Sequence, residues 1–405
     1  RDHPGDLKGV FSDRLPRDLA ANRLASAVES LRSAGRPFID LTESNPTRAG
    51  IAYPATLLAS LADARALRYE PTPFGLLDAR TAVAADYRRH GLDLSPAHVL
   101  LTASTSDSYS LLFKLLCGAG DEVLVPRPSY PLFDYLTRMD LVVPKPYALE
   151  YHGRWSLDFD GLERAITSRT KVVLVVSPNN PTGSLIARDE LARLASICAP
   201  RDIAIVADEV FVDYELEDGA AAHAGRPLAV REALSFSLGG LSKSVGLPQL
   251  KLGWIGVSGP PALVGEALQR LEVICDTYLS VATPVQVAAA DLLRRGAVVR
   301  DEILRRVRAN YAQLEREIKN VPACTRMTAE AGWYAVLQVP SFEPEEELVL
   351  GLLSREGVLV HPGYFFDFAR ESFLIVSLLT PEDAFREGIA RVLDHFTQRE
   401  RSVRP

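Results

Sequence analysis

Lys243 is the residue whose type and setting first suggest chemistry in this sequence. It lies in the segment 239–246, which is rich in glycine and serine and follows an apolar run. Small residues allow a ligand to approach the backbone closely. A lysine in such a place can lose its water, which lowers the pKa of its amine and makes it a nucleophile towards aldehydes. Because most lysines are solvated surface groups, the prediction depends on what surrounds this one.

Two further polar groups, Asp208 and Asn180, could work with such a lysine. Asp208 follows the apolar run 203–206. A carboxylate there could pair with a protonated ring nitrogen, so that the ring accepts carbanion electrons, or it could simply cap a helix. Asn180 lies in the turn 177–183, whose two prolines fix the backbone and therefore the direction of the amide. Taken alone, this segment is an ordinary loop.

The elements that must position these groups alternate along the middle of the chain. Residues 171–176 and 203–206 are short and apolar, as buried strands are, and 189–197 has helical spacing between them. This alternation predicts an α/β fold, with a mostly parallel sheet and helices on both faces. Ligands of such sheets bind at the carboxyl ends of the strands, which is where the polar motifs stand.

The pattern changes from Thr283 onward. We predict one long arginine-rich helix over 284–318, then strands over 333–339 and 373–379. These elements predict a smaller α+β domain, which also takes in the N-terminal helix. The predicted divisions are an N-terminal arm and helix over 1–45, a large ligand-binding domain over 46–284 and a small C-terminal domain over 285–405.

Composition excludes several classes of protein. The 405 residues include 45 basic and 52 acidic side chains, for a net charge of −7, with no long block of one sign. Binding to nucleic acid or to a membrane surface therefore gains no support. The apolar runs are too short to span a bilayer. Four scattered cysteines, without CxxC or zinc spacing, predict reduced thiols, no metal site and a cytoplasmic location. The four are Cys117, Cys198, Cys275 and Cys324.

Three motifs in order carry a resemblance to a known family. They are Asn-Asn-Pro-Thr-Gly at 179–183, Asp-Glu-Val-Phe at 208–211, and Leu-Ser-Lys-Ser at 241–244 followed by Gly-Leu-Pro-Gln-Leu-Lys-Leu-Gly-Trp. Together they resemble the class I/II aminotransferases of fold type I, the aspartate aminotransferase superfamily, over about residues 15 to 396. Such enzymes use pyridoxal 5'-phosphate (PLP). The motifs are more specific for this cofactor than for the reaction.

The resemblance implies roles for the central residues. Lys243 holds PLP as a Schiff base and later shuttles the substrate's α-proton. Asp208 pairs with the pyridinium nitrogen, and Asn180 donates to the phenolic oxygen. Tyr130, in Arg-Pro-Ser-Tyr-Pro, stacks on the ring. The large domain is thus expected to be the PLP-binding one.

The resemblance also implies a phosphate site and a second subunit. A strand followed by a helix start offers free N–H groups and the positive end of a helix dipole. The groups expected around the phosphate are Ser104, Thr105, Ser106, Ser242 and Lys251. Tyr69 matches the tyrosine that reaches the phosphate of the neighbouring subunit, which predicts a homodimer.

Three departures from the family pattern bear on the site. Lys251 stands where arginine is common, and so keeps the charge without the bidentate fork. Phe211 stands where a tyrosine usually donates to the phenolic oxygen. The strand 373–375 lacks the arginine that usually grips the substrate's α-carboxylate. Arg370 is a candidate for that role, and Asn45 and Arg48, in the turn that resembles the family's substrate loop, are other candidates.

Two other side chains, His361 and Tyr364, are predicted to line the mouth of the site.

Three functions remain open from the sequence. The favoured one is an aminotransferase that moves an amino group between an amino acid and a 2-oxo acid. The alternative is a PLP-dependent lyase, synthase or oxidase of the same fold, which the missing arginine keeps in play. A third is a regulator with an added DNA-binding domain. The segment before Asp40 is too short for such a domain and the net charge is negative, so we expect none.

Overall fold

The structure, a computed structural model, describes residues 11–16 and 19–403. Parts of the predicted N-terminal arm, residues 1–10 and 17–18, lie outside the described residues. The strands are β1 Ile39–Asp40, β2 Val99–Thr102, β3 Glu122–Arg127, β4 Val143–Tyr151, β5 Trp155–Leu157, β6 Thr170–Val176, β7 Ala204–Asp208, β8 Ser235–Gly240, β9 Gly253–Ser258, β10 Thr325–Arg326, β11 Tyr334–Gln338, β12 Val358–Leu359, β13 His361–Pro362 and β14 Phe373–Ser377.

Helices connect these strands for most of the described chain. They are α1 Arg23–Ser33, α2 Leu77–Arg88, α3 Thr105–Leu116, α4 Phe133–Met139, α5 Phe159–Ala165, α6 Arg188–Cys198, α7 Leu241–Ser244, α8 Pro261–Tyr278, α9 Thr283–Arg295, α10 Ala297–Ile318, α11 Glu345–Gly351 and α12 Glu382–Val403. Short 3-10 turns lie between several of them.

The large sheet has the order β2-β9-β8-β7-β6-β3-β4-β5. Strands β8, β7, β6, β3 and β4 run parallel to one another, and the edge strand β5 is antiparallel to β4. Strand β9 is antiparallel to both β8 and β2, so β2 points the same way as β8. The prediction of a mostly parallel sheet is therefore confirmed.

Strand β6 explains why helices cover both faces of this sheet. Val172 and Leu174 pack into a core with residues of α3 and α8, whereas Val173 and Val175 pack with residues of α5 and α6 on the other side. Successive side chains of a strand point to opposite faces. Because residues 172–176 of β6 are all apolar, both faces of the strand must be covered, which confirms the predicted helix layers.

Both ends of the chain build the smaller part of the fold. An antiparallel sheet has the order β10-β11-β14-β13. Strand β1 pairs in parallel with β12, joining Ile39 to Val358, and α1 packs against α11. The α+β character of this part is confirmed. The boundaries at 45/46 and 284/285 stay a prediction.

The prediction of one helix over 284–318 was wrong, because the helix breaks at Gly296. α9 ends before this glycine and α10 begins after it. A Cβ placed on Gly296 would lie 2.6 Å from both the Leu292 carbonyl oxygen and the Val245 Cβ. Only glycine allows this approach, which seats the helix pair against the segment that follows Lys243.

Candidate active site

The predicted site residues converge at one edge of the large sheet. Asp208 ends β7, Lys243 lies in α7 directly after β8, and Asn180 follows β6. Tyr130 follows β3, and Ser104 follows β2. Because all five strands point the same way, their carboxyl ends meet at this edge, as the rule for parallel sheets predicts.

The Lys243 amine lies in an aromatic and largely dry setting. Its Nζ is 4.6 Å from the ring centroid of Trp333 and 5.5 Å from that of Phe211. The Tyr214 hydroxyl donates to the Lys243 carbonyl oxygen and so holds the backbone. Burial lowers the pKa of the amine to about 8, while the charge of Asp208 acts in the opposite direction. With this pKa, about a tenth of the amine is uncharged at pH 7, far more than for an ordinary lysine.

The Asp208 carboxylate is buried with two hydrogen bonds. Tyr109 donates its hydroxyl to Oδ2 at 3.1 Å, and the Val210 N–H donates to Oδ1 at 3.1 Å. Burial raises the pKa of the carboxyl to about 6, and these hydrogen bonds oppose that rise. A carboxylate in this setting is available to pair with a cation that comes from a ligand.

Asn180 and Tyr130 border the same space. Asn180 is 8% exposed, and its Oδ1 is buried without a hydrogen-bond partner among the described residues. Rotating the amide by 180° would present an N–H donor at the same point. Tyr130 is half-exposed, and burial followed by the charge of Asp208 raises the pKa of its hydroxyl. A ring lying between these side chains would meet a polar edge and an aromatic face.

The first turn of α3 begins at the end of β2, where the phosphate site is predicted. Ser104 caps the helix, because its hydroxyl accepts from the Asp107 N–H at 3.1 Å. Asp107 in turn accepts from the Ala103 N–H at 2.9 Å. The N–H groups of Thr105 and Ser106 point out of the first turn, as helix geometry requires, towards any bound phosphate.

Two of the predicted cofactor residues differ in setting. Ser242 is half-buried in α7, next to Lys243. Lys251 is exposed and has left-handed backbone geometry, with φ 52°. Residues other than glycine rarely adopt this backbone geometry, and those that do are often found at functional sites.

Asn45 and Arg370, two of the candidates for binding the substrate carboxylate, lie in different settings. The Asn45 side-chain oxygen accepts from the hydroxyl and the N–H of Thr47, at 2.7 and 3.1 Å. Arg370 lies exposed in the turn before β14. The buried carboxylate of Glu345 fixes the end of this turn, since it accepts from the N–H groups of Ser372 and Phe373. Arg370 is therefore carried on a turn whose end is anchored by Glu345.

Arg48 has an ion-pair partner, whereas His361 and Tyr364 are held through their backbones, and His361 Nδ1 is buried without a hydrogen-bond partner among the described residues. Arg48 forms an ion pair with Glu43 at 3.3 Å. His361 lies across from Ile375 in the small sheet, and burial lowers the pKa of its imidazole to about 4. The Tyr364 N–H donates to Glu345 at 2.9 Å.

Sequence reasoning missed Tyr109 and Trp333. Tyr109 stands four residues after Thr105 in α3, so helical periodicity places both on one face and could have found it. Trp333 precedes β11, in the small sheet. No local signal connects it with Lys243, because the contact exists only once the small sheet docks on the large one.

A mostly parallel α/β sheet with a lysine of lowered pKa and a carboxylate at its carboxyl edge is an arrangement typical of enzymes that act on carbonyl compounds. The family model described as "Aminotransferase class I and II" matches residues 36–392. The chain belongs to this family, and the resemblance drawn from the three motifs is confirmed. It is a transaminase, which moves an amino group between an amino acid and a 2-oxo acid. The family and fold imply PLP use in general.

Curated relatives agree with this assignment. The chain is 26% identical over 371 residues to glutamate-pyruvate aminotransferase AlaA of Escherichia coli, covering 88% of this chain and 90% of the relative. It is 26% identical to an alanine aminotransferase of Mycobacterium tuberculosis, over 84% of this chain and 80% of that protein.

Solved structures share the fold. Alanine aminotransferase from Pyrococcus furiosus superposes with a TM-score of 0.83 at 23% identity, covering 93% of this chain and 96% of the other. A Thermus thermophilus aspartate aminotransferase gives 0.81 at 23% identity, covering 95% and 99%. At such identities the likeness establishes the fold alone.

Within the described residues, none of the helices combines the length and the apolar character needed to cross a membrane.

Proposed function

We propose that this transaminase binds PLP covalently through Lys243, with Asp208 as the partner of the ring nitrogen. The observation that carries the proposal is the partly buried Lys243 amine, which lies between aromatic rings and feels the charge of Asp208. Bound PLP supplies an aldehyde that accepts the amino group and a ring that takes up carbanion electrons. Asn180 would bind the phenolic oxygen, Tyr130 would cover the ring, and Phe211 would pack against it.

The phosphate would bind at the start of α3. The free N–H groups of Thr105 and Ser106 and the helix dipole attract an anion. The Ser104 and Ser242 hydroxyls and the Lys251 ammonium add polar and positive contacts from the neighbouring loops. Lys251 attracts the phosphate as a point charge, without the fixed geometry of an arginine.

Lys243 would also move the proton during the reaction. As an uncharged amine, its Nζ would take the proton from the substrate's α-carbon, and as an ammonium it would later give that proton back to the reacting molecule. A pKa of about 8 suits both steps, because the amine is close to the point where its charged and uncharged forms are equal.

The substrates are proposed as an amino acid and a small 2-oxo acid, with alanine and pyruvate as the first pair. Two groups of relatives bear names with alanine or pyruvate. In this chain the buried Ile375 and its neighbours leave no arginine on β14. We therefore assign the α-carboxylate to Arg370, with Asn45 in support.

Trapping and activity experiments test this proposal. Reduction of the PLP-loaded protein with borohydride should fix the cofactor at Lys243, as mapped by peptide mass. Alanine, glutamate and tyrosine are then mixed with pyruvate or 2-oxoglutarate, with Lys243→Ala as the inactive control. Label on another lysine would contradict the site. Arg370→Ala should raise the KM of donor and acceptor together by about tenfold, whereas Arg386→Ala on α12 should leave both unchanged.

A homodimer completes the proposal. Tyr69 is 70% exposed and lies near Leu67, which is 91% exposed. Tyr69 shares a cleft with Leu279 and Ser280, at the end of α8, where Tyr278 is also exposed. Exposed aromatic and apolar side chains in one area are typical of a protein interface. Tyr69 would then reach the phosphate of the partner's site.

A further inference from the structure

A buried polar network lies next to Asp208 and plays no part in the roles assigned so far. Glu209 follows Asp208, and its carboxylate Oε1 lies 2.9 Å from the Arg226 Nε. The exposed fractions of the two side chains are 4% and 16%. The Ser237 hydroxyl donates to the other carboxylate oxygen of Glu209, and Ser237 Oγ is 3.1 Å from the Tyr87 hydroxyl. The Glu209 charge is thus buried and held in place.

The charge of Glu209 opposes that of its neighbour. It raises the pKa of the Asp208 carboxyl, because two buried negative charges repel each other. A protonated Asp208 could not pair with a ring cation. Among the described residues, Arg226 is the cation in direct ion-pair contact with Glu209, and so it offsets this repulsion. Removing one partner of a buried pair leaves the other charge uncompensated.

The same network borders the segment that carries Lys243. A cavity of about 30 Å³ is lined by Arg226, Glu209 and Ser244, the residue after Lys243. Arg226 Nη2 and Ser244 Oγ are buried there without hydrogen-bond partners among the described residues. Arg226 therefore borders the neighbours of both charged groups of the site, Glu209 beside Asp208 and Ser244 beside Lys243.

We propose that Arg226 is a positioning residue which neutralises Glu209, so that Asp208 remains an ionised partner for the cofactor's ring nitrogen. This inference rests on the proposed function, since it assumes that Asp208 binds the ring. Arg226 acts through Glu209 and touches neither cofactor nor substrate. It extends the counter-ion of the site from one carboxylate to a set of three charges.

Other titratable and charged groups face the network, and the variants below leave all of them except Arg89 unchanged. They are Tyr87 and Asp86 from α2, Arg89 and His90 from the turn after α2, Asp213 from the turn after β7, Tyr109 from α3 and Lys243 from α7.

The test measures the dissociation constant of PLP from the apoprotein as a function of pH, by quenching of protein fluorescence. In the wild type, affinity should fall as the pH drops through the pKa of Asp208, about 6. Arg226→Met should move this break to higher pH by about one unit, because the bare Glu209 charge favours protonation of Asp208. At a pH below both breaks, the affinity of Arg226→Met for PLP should then be about tenfold weaker than that of the wild type. Glu209→Gln should move the break to lower pH.

If the break moves to higher pH in Arg226→Met and to lower pH in Glu209→Gln, the cause is the change in charge and not impaired folding. A merely structural role would weaken binding in both variants at every pH and leave the break in place, and that result would overturn the inference. The double variant Glu209→Gln/Arg226→Met should return the break to its wild-type position. The ligand's own titrations are common to every variant, so only differences between variants are compared.

Controls separate this inference from the proposed function. Arg89→Met removes one partner of the buried Asp213, which His90 still contacts at 3.3 Å, and should not move the break. Arg226→Lys keeps the positive charge and should leave the break at its wild-type pH. This variant also tests the charge if Arg226→Met does not fold. If Asp208→Asn leaves the pH dependence unchanged, the proposed function fails. If Asp208 governs the break but the Arg226 and Glu209 variants do not move it, only this inference fails.

Discussion

The charge of Lys243 governs how the apoprotein captures PLP. Burial lowers the pKa of this amine from its ordinary value of 10.5 to about 8. Only the uncharged amine attacks an aldehyde. We expect the rate of covalent capture, followed by stopped-flow absorbance, to rise with pH through about 8 and then level off. Asp208→Asn removes a charge that favours the ammonium, so the midpoint should move to lower pH. A wild-type midpoint near 10.5 would contradict the buried setting.

Phe211 stands where the family usually has a tyrosine, so the substitution Phe211→Tyr restores that phenol. Its ring is 4% exposed and lies 5.5 Å from the Lys243 Nζ. In Phe211→Tyr, an added hydroxyl could donate to the phenolic oxygen of PLP and favour its anionic form. We expect the pH at which the bound-cofactor absorbance titrates to fall by about one unit. Tyr334→Phe removes a hydroxyl from a neighbouring ring and serves as the control, with no shift. An unchanged Phe211→Tyr titration would mean that the hydroxyl cannot reach the oxygen.

Some residues of the site could be predicted from the sequence around them, and others could not. Lys243, Asp208 and Asn180 could be predicted because each follows an apolar strand within a short motif, and parallel strands bring such ends together. Trp333 and Arg226 could not. Their contacts join segments distant in sequence, and a lone tryptophan or arginine carries no spacing that points to its partner. The roles of the predicted site residues stay predictions until the variants are measured.

Ser104 caps α3 and is proposed to contact the phosphate, and substitutions at this residue can separate the two roles. The Ser104 hydroxyl accepts from the Asp107 N–H and so caps the helix. Ser104→Ala should lower the free energy of unfolding by about 1 kcal/mol, as loss of a cap does. Ser104→Asp should keep the cap but bring a negative charge to the phosphate site. Calorimetry and PLP titration should therefore show near-normal stability with weaker binding for Ser104→Asp. Equal PLP affinity in all three proteins would argue against a phosphate here.

Element boundaries show where sequence patterns lose information. Strand β6 and helix α6 could be predicted almost to the residue, because their apolar periods are clear. The break at Gly296 could not, because a glycine inside a helix costs only about 1 kcal/mol and often leaves the helix intact. Here the close approach of Val245 decides the geometry, and that approach belongs to tertiary packing.

At the scale of the whole molecule, mixed dimers test whether Tyr69 serves the partner's site. A dimer of one Tyr69→Ala chain and one Lys243→Ala chain would contain one site with both residues intact. It should regain about half of the wild-type activity per dimer, although each parent is impaired. A chain carrying both substitutions, paired with wild type, should leave both sites defective. The reverse result, with activity only in the second mixture, would mean that Tyr69 serves its own subunit.

The pairing of β1 with β12 has a consequence for synthesis on the ribosome. Ile39 and Asp40 find their strand partners only in Val358 and Leu359, roughly 300 residues later. At about 5–20 residues per second, translation takes on the order of 15 to 60 s to supply them. Throughout that time the apolar side of α1, with Leu24 and Val28, has no surface to cover it. The emerging amino-terminal segment is thus a natural client for chaperones until the last fifth of the polypeptide has been made.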